Sequence, residues 1–109
     1  MKRVEWLGDS LDRLRKFPAE PKREAGYQLE RVQAGKEPAD FKPMPSVGLG
    51  VNEIRIRKEG AFRVIYVAKF TEGIYVLHAF EKKARKTSKQ DIELARTRFR
   101  KFVQERKQQ

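Results

Sequence analysis

Two alternating segments within residues 53–67 constrain this chain most strongly. In Ile54-Arg55-Ile56-Arg57, apolar and charged residues alternate, and a period of two sends them to opposite faces of a β-strand. The run from Phe62 to Val67 alternates again after a turn that contains Gly60. The segments therefore predict two antiparallel strands with one apolar and one cationic face. Guanidinium groups held on such a face suit a phosphate backbone, as a ligand or as a substrate.

The charge of the chain narrows the class of partner. Its 109 residues predict one domain spanning positions 1–109. The 26 Lys and Arg residues outnumber 15 Asp and Glu, which gives a formal net charge of +11 and indicates nucleic acid, an anionic membrane or an acidic protein. No apolar run approaches the ~18 residues of a spanning helix, and the N-terminus lacks the apolar core of a signal peptide. A membrane partner is therefore disfavoured, and a cytoplasmic location is expected.

Two residue counts exclude whole classes of chemistry. The chain has no cysteine, which excludes disulfides, thiolate catalysis and Cys-ligated zinc. Its one histidine, His78, excludes catalysis by a histidine pair within one chain and disfavours a His-rich metal site. Clustered carboxylates of the kind a magnesium nuclease needs are not evident either. No metal and no organic cofactor is predicted, and Lys and Arg are left as the main reactive groups.

The remaining segments predict the order β-α-α-β-β-β-α. Pro18 ends the first helix, Gly35 follows the second as a C-cap, and Ser88 with Asp91 resembles a capping box. This order favours an α+β fold, in which a helical hairpin and a C-terminal helix pack on a curved, mainly antiparallel sheet. The predicted elements are a strand at Lys2–Trp6, two helices between Asp9 and Gly35, an irregular connection at Glu37–Gly50, strands at Val51–Arg57, Phe62–Phe70 and Ile74–Lys82, and a helix at Lys89–Glu105.

Three motifs resemble those of the RelE/ParE superfamily of bacterial toxins. The order of elements is that of the superfamily, and Ile54-Arg55-Ile56-Arg57 resembles its basic strand. The segment Phe62-Arg63-Val64-Ile65-Tyr66 resembles its aromatic-Arg-apolar-apolar-Tyr strand. The run from Leu77 to Thr87, followed by a helix rich in charge, is similar to the HigB branch, often described as phage-derived toxins. The similarity covers nearly the whole chain, and the last motif is the most specific.

The resemblance implies a toxin of a type II toxin–antitoxin pair. Members of the RelE/HigB branch enter the A site of the 70S ribosome and cut mRNA there, and a HigA-like helix-turn-helix antitoxin neutralises them. Cleavage by this route is an attack of the 2′-hydroxyl on the adjacent phosphate, which leaves a 2′,3′-cyclic phosphate. The related ParE branch instead inhibits DNA gyrase, and fold alone does not separate the two. The free toxin is expected to be a monomer.

Four cationic side chains are the predicted catalytic set. Arg63 matches the arginine of the family motif and would stabilise the scissile phosphate. Arg55 and Arg57 share one face of the neighbouring strand and would hold phosphate oxygens. Lys82 is preferred over Lys83 as the general acid or stabiliser, because alternation prevents both from pointing into one site, and nearby arginines would lower the pKa of a lysine. A solvated charged face and a surface that contacts ribosomal RNA remain the alternatives.

The predicted substrate-binding set has two kinds of member. Tyr66 and Phe80 are candidates to stack on a base of the codon, although each is also a good core residue. Lys83, Arg85 and Lys86 follow the last strand and are candidates to bind the RNA backbone. Two neighbouring groups receive a structural interpretation instead: Glu53 as an ion-pair partner, and His78 as a hydrogen-bonded histidine of the core or sheet face.

One departure from the family pattern keeps other functions open. Several ribosome-dependent relatives carry a catalytic Tyr or His near the C-terminus, but this chain has no Tyr after Tyr75 and no His after His78. The identity of the acid–base pair therefore stays open. The alternatives are a ParE-like, non-enzymatic inhibitor of DNA gyrase and a non-catalytic basic RNA-binding module.

Overall fold

The computed structural model describes residues 1–108, within which the chain forms five strands and three helices. These are β1 (Arg3–Trp6), α1 (Ser10–Arg15), α2 (Ala19–Gln33), β2 (Phe41–Pro43), β3 (Val51–Ile56), β4 (Phe62–Val67), β5 (Gly73–Glu81) and α3 (Lys89–Lys107). The predicted α+β order is confirmed, with one added strand. That strand, β2, lies inside the connection predicted to be irregular, where it pairs with β3 as an edge strand. Edge strands tolerate proline because one side of the strand needs no hydrogen bond.

All five strands belong to one mixed sheet in the order β1-β5-β4-β3-β2. The pairs β2–β3, β3–β4 and β4–β5 are antiparallel, whereas β1 runs parallel to β5. The connection between β1 and β5 contains α1, α2 and the other three strands, so it is far longer than the dozen or so residues that a parallel pair requires. The nearly continuous apolar run of β5 therefore lies between two strands, β1 and β4.

Helices cover both faces of the sheet. On one face, Leu29 and Val32 of α2 pack with Ile54, Val64 and the other apolar residues of the first core cluster. On the opposite face, Ala95 and Phe99 of α3 pack on a second cluster formed by alternate residues of the same strands. The second face is thus apolar over much of its area. The predicted cationic face is present only near one end of β3 and β4, because apolar residues that pack on α3 occupy the rest of it.

A β-bulge in β5 decides which side chains reach that charged end. Ile65 pairs with His78 and the next residue, Tyr66, pairs with Val76, so that Leu77 is an extra residue on β5. Both Leu77 and His78 then face α3, the first through packing and the second through a hydrogen bond to Asp91. The bulge shifts the alternation by one residue beyond this point. The last residues of β5 therefore face the side of the sheet opposite to the one that strict alternation from Tyr75 would give them.

Candidate functional site

The charged end of the sheet is a concavity of about 420 Å³ beside the start of α3. Its floor comes from β3 and β4, one wall from the segment that follows β5, and the opposite wall from the region of β2. We call it the cationic concavity. It is lined by Lys42, Pro43, Met44, Pro45, Ser46, Glu53, Arg55, Arg63, Lys82, Arg85, Lys86, Thr87 and Ile92.

A buried ion pair forms its floor. The side chains of Arg63 and Glu53 are 3% and 2% exposed, and Arg63 Nε lies 3.5 Å from Glu53 Oε1. Arg63 Nη1 also donates a hydrogen bond to the carbonyl oxygen of Phe62 at 2.9 Å. Burial lowers the pKa of Arg63, while the charge of Glu53 acts in the opposite direction. The predicted role of Glu53 as an ion-pair partner is confirmed.

Two further cations stand next to Arg63. Arg55 is its direct cross-strand partner in the β3–β4 register, an arrangement in which like charges repel. Lys82 continues β5 into the concavity, and its pKa is lowered first by partial desolvation and then by the charge of Arg63. The expected direction of this shift is confirmed. An anion placed between these three groups would relieve their repulsion.

Arg57 lies at the edge of this group and outside the lining of the concavity. Its side chain is 63% exposed, and its Nε lies 3.3 Å from Asp40 Oδ2. The other oxygen of the same carboxylate is 3.8 Å from Arg55 Nε. Asp40 thus holds both arginines loosely from the side, a contact that the sequence spacing does not reveal.

The segment after β5 contributes the outer wall. Arg85 and Lys86 are exposed and line the concavity. Thr87, which follows them, donates a hydrogen bond from Oγ1 to Glu53 Oε2 at 2.7 Å. Sequence reasoning missed this threonine because it lies in a loop, where no periodicity marks the direction of a side chain.

Lys83 and Phe80 line a different concavity, of about 530 Å³, between α1 and the end of β5. Phe80 is buried and stacks on His78, with ring centroids 4.8 Å apart. As the direct cross-strand partner of Arg63, it supports the floor of the cationic concavity from β5. The structure therefore separates Lys82 from Lys83, as alternation predicted.

Of the two roles considered for Tyr66, stacking on a base and packing in the core, the structure shows the second. Tyr66 is buried in the first core cluster, on the sheet face opposite the cationic concavity. Burial raises the pKa of its hydroxyl group to about 12, while Asn52, its cross-strand partner, acts in the opposite direction. The period of two in β4 explains this position, because Tyr66 and Arg63 differ by an odd number of residues.

His78 is fully buried, and its Nε2 lies 2.7 Å from Asp91 Oδ1. Burial lowers the pKa of this histidine, although the carboxylate acts in the opposite direction. The ring is therefore neutral near pH 7, so Nε2 carries the hydrogen and donates it to Asp91. The predicted structural role of His78 is confirmed: it joins β5 to the first turn of α3.

The sequence matches the family model of the phage-derived protein Gp49-like family (DUF891) over residues 12–100. This range includes the three motifs, the cationic concavity and most of α3. The chain belongs to the Gp49-like family. That family is RelE/HigB-like and consists of toxin-like proteins, which agrees with the α+β fold described above. No curated protein matches the sequence.

Within residues 1–108, no group of three or more His, Asp or Glu side chains is placed to hold a metal ion. No helix in the same range is long and apolar enough to cross a membrane.

Proposed function

We propose that this Gp49-like protein is the toxin of a type II toxin–antitoxin system and acts as a ribosome-dependent mRNA endonuclease. The observation that carries the proposal is the convergence of Arg55, Arg63 and Lys82 on one concavity with a buried carboxylate beneath them. Cations held in this way match the charge that develops on phosphorus when a 2′-hydroxyl attacks it. The Gp49-like family membership supports the same conclusion.

The proposed division of labour follows from burial. Arg63 is held by Glu53 and Phe62, so it offers a fixed positive charge under the scissile phosphate. Arg55 adds a second charge from the neighbouring strand. Lys82 is more accessible than Arg63. Its lowered pKa suits it to donate a proton to the leaving 5′-oxygen.

The proposed reaction depends on the ribosome to orient the mRNA. None of the residues that line the cationic concavity is a histidine, the side chain that most often acts as a base near neutral pH, so the proton of the attacking 2′-hydroxyl would pass to solvent water. Orientation of the mRNA in the A site would account for several kcal/mol of the barrier. The net charge of +11 favours docking on ribosomal RNA through contacts that weaken with salt. A HigA-like helix-turn-helix antitoxin is the proposed partner in the inactive state.

Induction of the chain in growing cells, followed by mapping of RNA 5′ ends, tests the proposal. New 5′ ends are expected within the codons of translated messages and not in untranslated RNA, because cleavage requires the ribosome. Intact mRNA together with gyrase-linked DNA breaks would instead establish the ParE-like function. Binding to RNA without any cleavage, in cells or in a translation extract, would identify a non-catalytic module.

A further inference from the structure

The loop between β5 and α3, residues 82–88, concentrates positive charge and has little to hold it in place. It contains Lys82, Lys83, Arg85 and Lys86, and the only apolar residue among them is Ala84. Like charges at this spacing repel one another, and a loop without buried apolar side chains gains little from packing. A specific contact is needed to keep this cationic loop beside the sheet.

Thr87 makes that contact. Its Oγ1 donates to Glu53 Oε2 at 2.7 Å, while the other carboxylate oxygen of Glu53 faces Arg63 Nε at 3.5 Å. Within residues 1–108, this is the one side-chain hydrogen bond that joins residues 83–87 to another element. Glu53 is almost fully buried, so the bond is protected from water and its acceptor cannot move freely.

We propose that Thr87 is a positioning residue that locks the cationic loop against Glu53. The lock sets the distance between Arg85 and Lys86 on the loop and Arg63 on the sheet. Phosphates on either side of the scissile one are then bound by the loop, while Arg63 binds the scissile phosphate itself. The inference rests on the proposed function in one respect: it takes the ligand to be a single-stranded RNA backbone.

Binding of a single-stranded RNA of about ten nucleotides, followed by fluorescence anisotropy, tests the role of the hydroxyl group. Thr87→Val keeps the shape of the side chain and removes the donor, and it is expected to weaken binding about tenfold. Thr87→Ser retains the hydroxyl group and is expected to restore most of the affinity. Thr71→Val, at an exposed threonine in the β4–β5 turn, is the matched control and should bind as the unaltered chain does.

A double-mutant cycle separates positioning from general destabilisation. If Thr87 acts through the loop cations, Thr87→Val has no further effect in a chain that already carries Arg85→Ala and Lys86→Ala. The slope of log affinity against log salt should also fall in Thr87→Val, by about 0.7 for each phosphate that the loop no longer binds. Additive losses with an unchanged salt slope would overturn the proposal, as would equal losses in the Val and Ser variants.

Hydrogen exchange of the free protein keeps this test independent of the proposed function. The loop amide of Lys82 donates to the carbonyl oxygen of Ala61 at 2.7 Å. It is expected to exchange about tenfold faster in Thr87→Val than in the unaltered chain, while the amides of β4 stay unchanged. Unchanged exchange in the loop overturns the lock whether or not RNA binds. Faster loop exchange in a chain that neither binds this RNA nor cuts mRNA on the ribosome supports the lock and contradicts the proposed function instead.

Discussion

At the scale of single residues, Lys82 and Lys83 provide an internal comparison. They are adjacent and have the same chemistry, yet they line different concavities on either side of β5. Only Lys82 stands beside Arg63, whose charge helps to lower the pKa of the lysine. Of the two lysines, only Lys82 is therefore placed to take part in the activity proposed for the cationic concavity.

Lys82→Ala is expected to reduce mRNA cleavage in a translation extract by about 10²–10⁴-fold, because a general acid contributes about that factor. Lys83→Ala should cleave at close to the rate of the unaltered chain. Both variants are expected to unfold at nearly the same denaturant concentration, since neither side chain is fully buried. Equal losses of activity in the two variants would contradict the assignment.

The buried ion pair of Arg63 and Glu53 predicts that substitutions of the two residues have strongly non-additive effects on the free energy of unfolding. Arg63→Met leaves the carboxylate of Glu53 buried without its counter-charge, which costs about 3–5 kcal/mol. Addition of Glu53→Gln removes that charge and should recover at least half of the loss in urea unfolding. Additive destabilisation by the two substitutions would show that the pair is not coupled. Loss of toxicity in an Arg63 variant is informative only when its folding has been measured in this way.

At the scale of elements, the bond between His78 and Asp91 ties β5 to α3 and makes that contact sensitive to pH. Because burial lowers the pKa of His78, the unfolded chain takes up a proton near pH 6.5 while the folded chain does not. The free energy of unfolding should therefore fall as the pH drops below about 6.5, by at most about 1.4 kcal/mol per pH unit. Above that pH the effect vanishes, since the histidine is neutral in both states.

Urea unfolding at pH 7.5, 6.5 and 5.5 measures this effect, with His78→Gln as the comparison. The glutamine can still donate to Asp91 but does not titrate, so its stability should change less over the same range. The window lies well above the pKa of Asp9, which Arg13 and Arg98 lower to about 2. An identical pH dependence in both proteins would show that His78 is not the titrating group.

The elements also show where sequence patterns stop being informative. Alternation in β4 places Arg63 and Tyr66 on opposite faces, so the family motif that joins them does not mark a shared site. In β5, Leu77 breaks the alternation, and a bulge leaves no signature in a run of apolar residues. The carboxylate of Glu53 accepts a hydrogen bond from Thr87, which lies 34 residues away in the sequence. Contacts of that kind follow from tertiary packing and not from local periodicity.

At the scale of the whole molecule, the chain places its apolar surface inside and most of its charge outside. The two core clusters hold the sheet between α1 and α2 on one side and α3 on the other. This arrangement leaves one end of the sheet open, where the Gp49-like protein presents its cationic concavity. In the proposed activity, the sheet under this end would hold the arginines in place before substrate arrives, which would reduce the cost of ordering them during the reaction.

The most direct test of the proposed activity uses the purified chain, a defined mRNA and 70S ribosomes. With ribosomes stalled on a known codon, we expect a cut in the A-site codon that leaves a 2′,3′-cyclic phosphate and a free 5′-hydroxyl. Without ribosomes, the same mRNA should remain intact, and Lys82→Ala should leave it intact in both cases. Uncut mRNA on the ribosome, or equal cleavage with and without ribosomes, would contradict the proposal that this protein is a ribosome-dependent endonuclease.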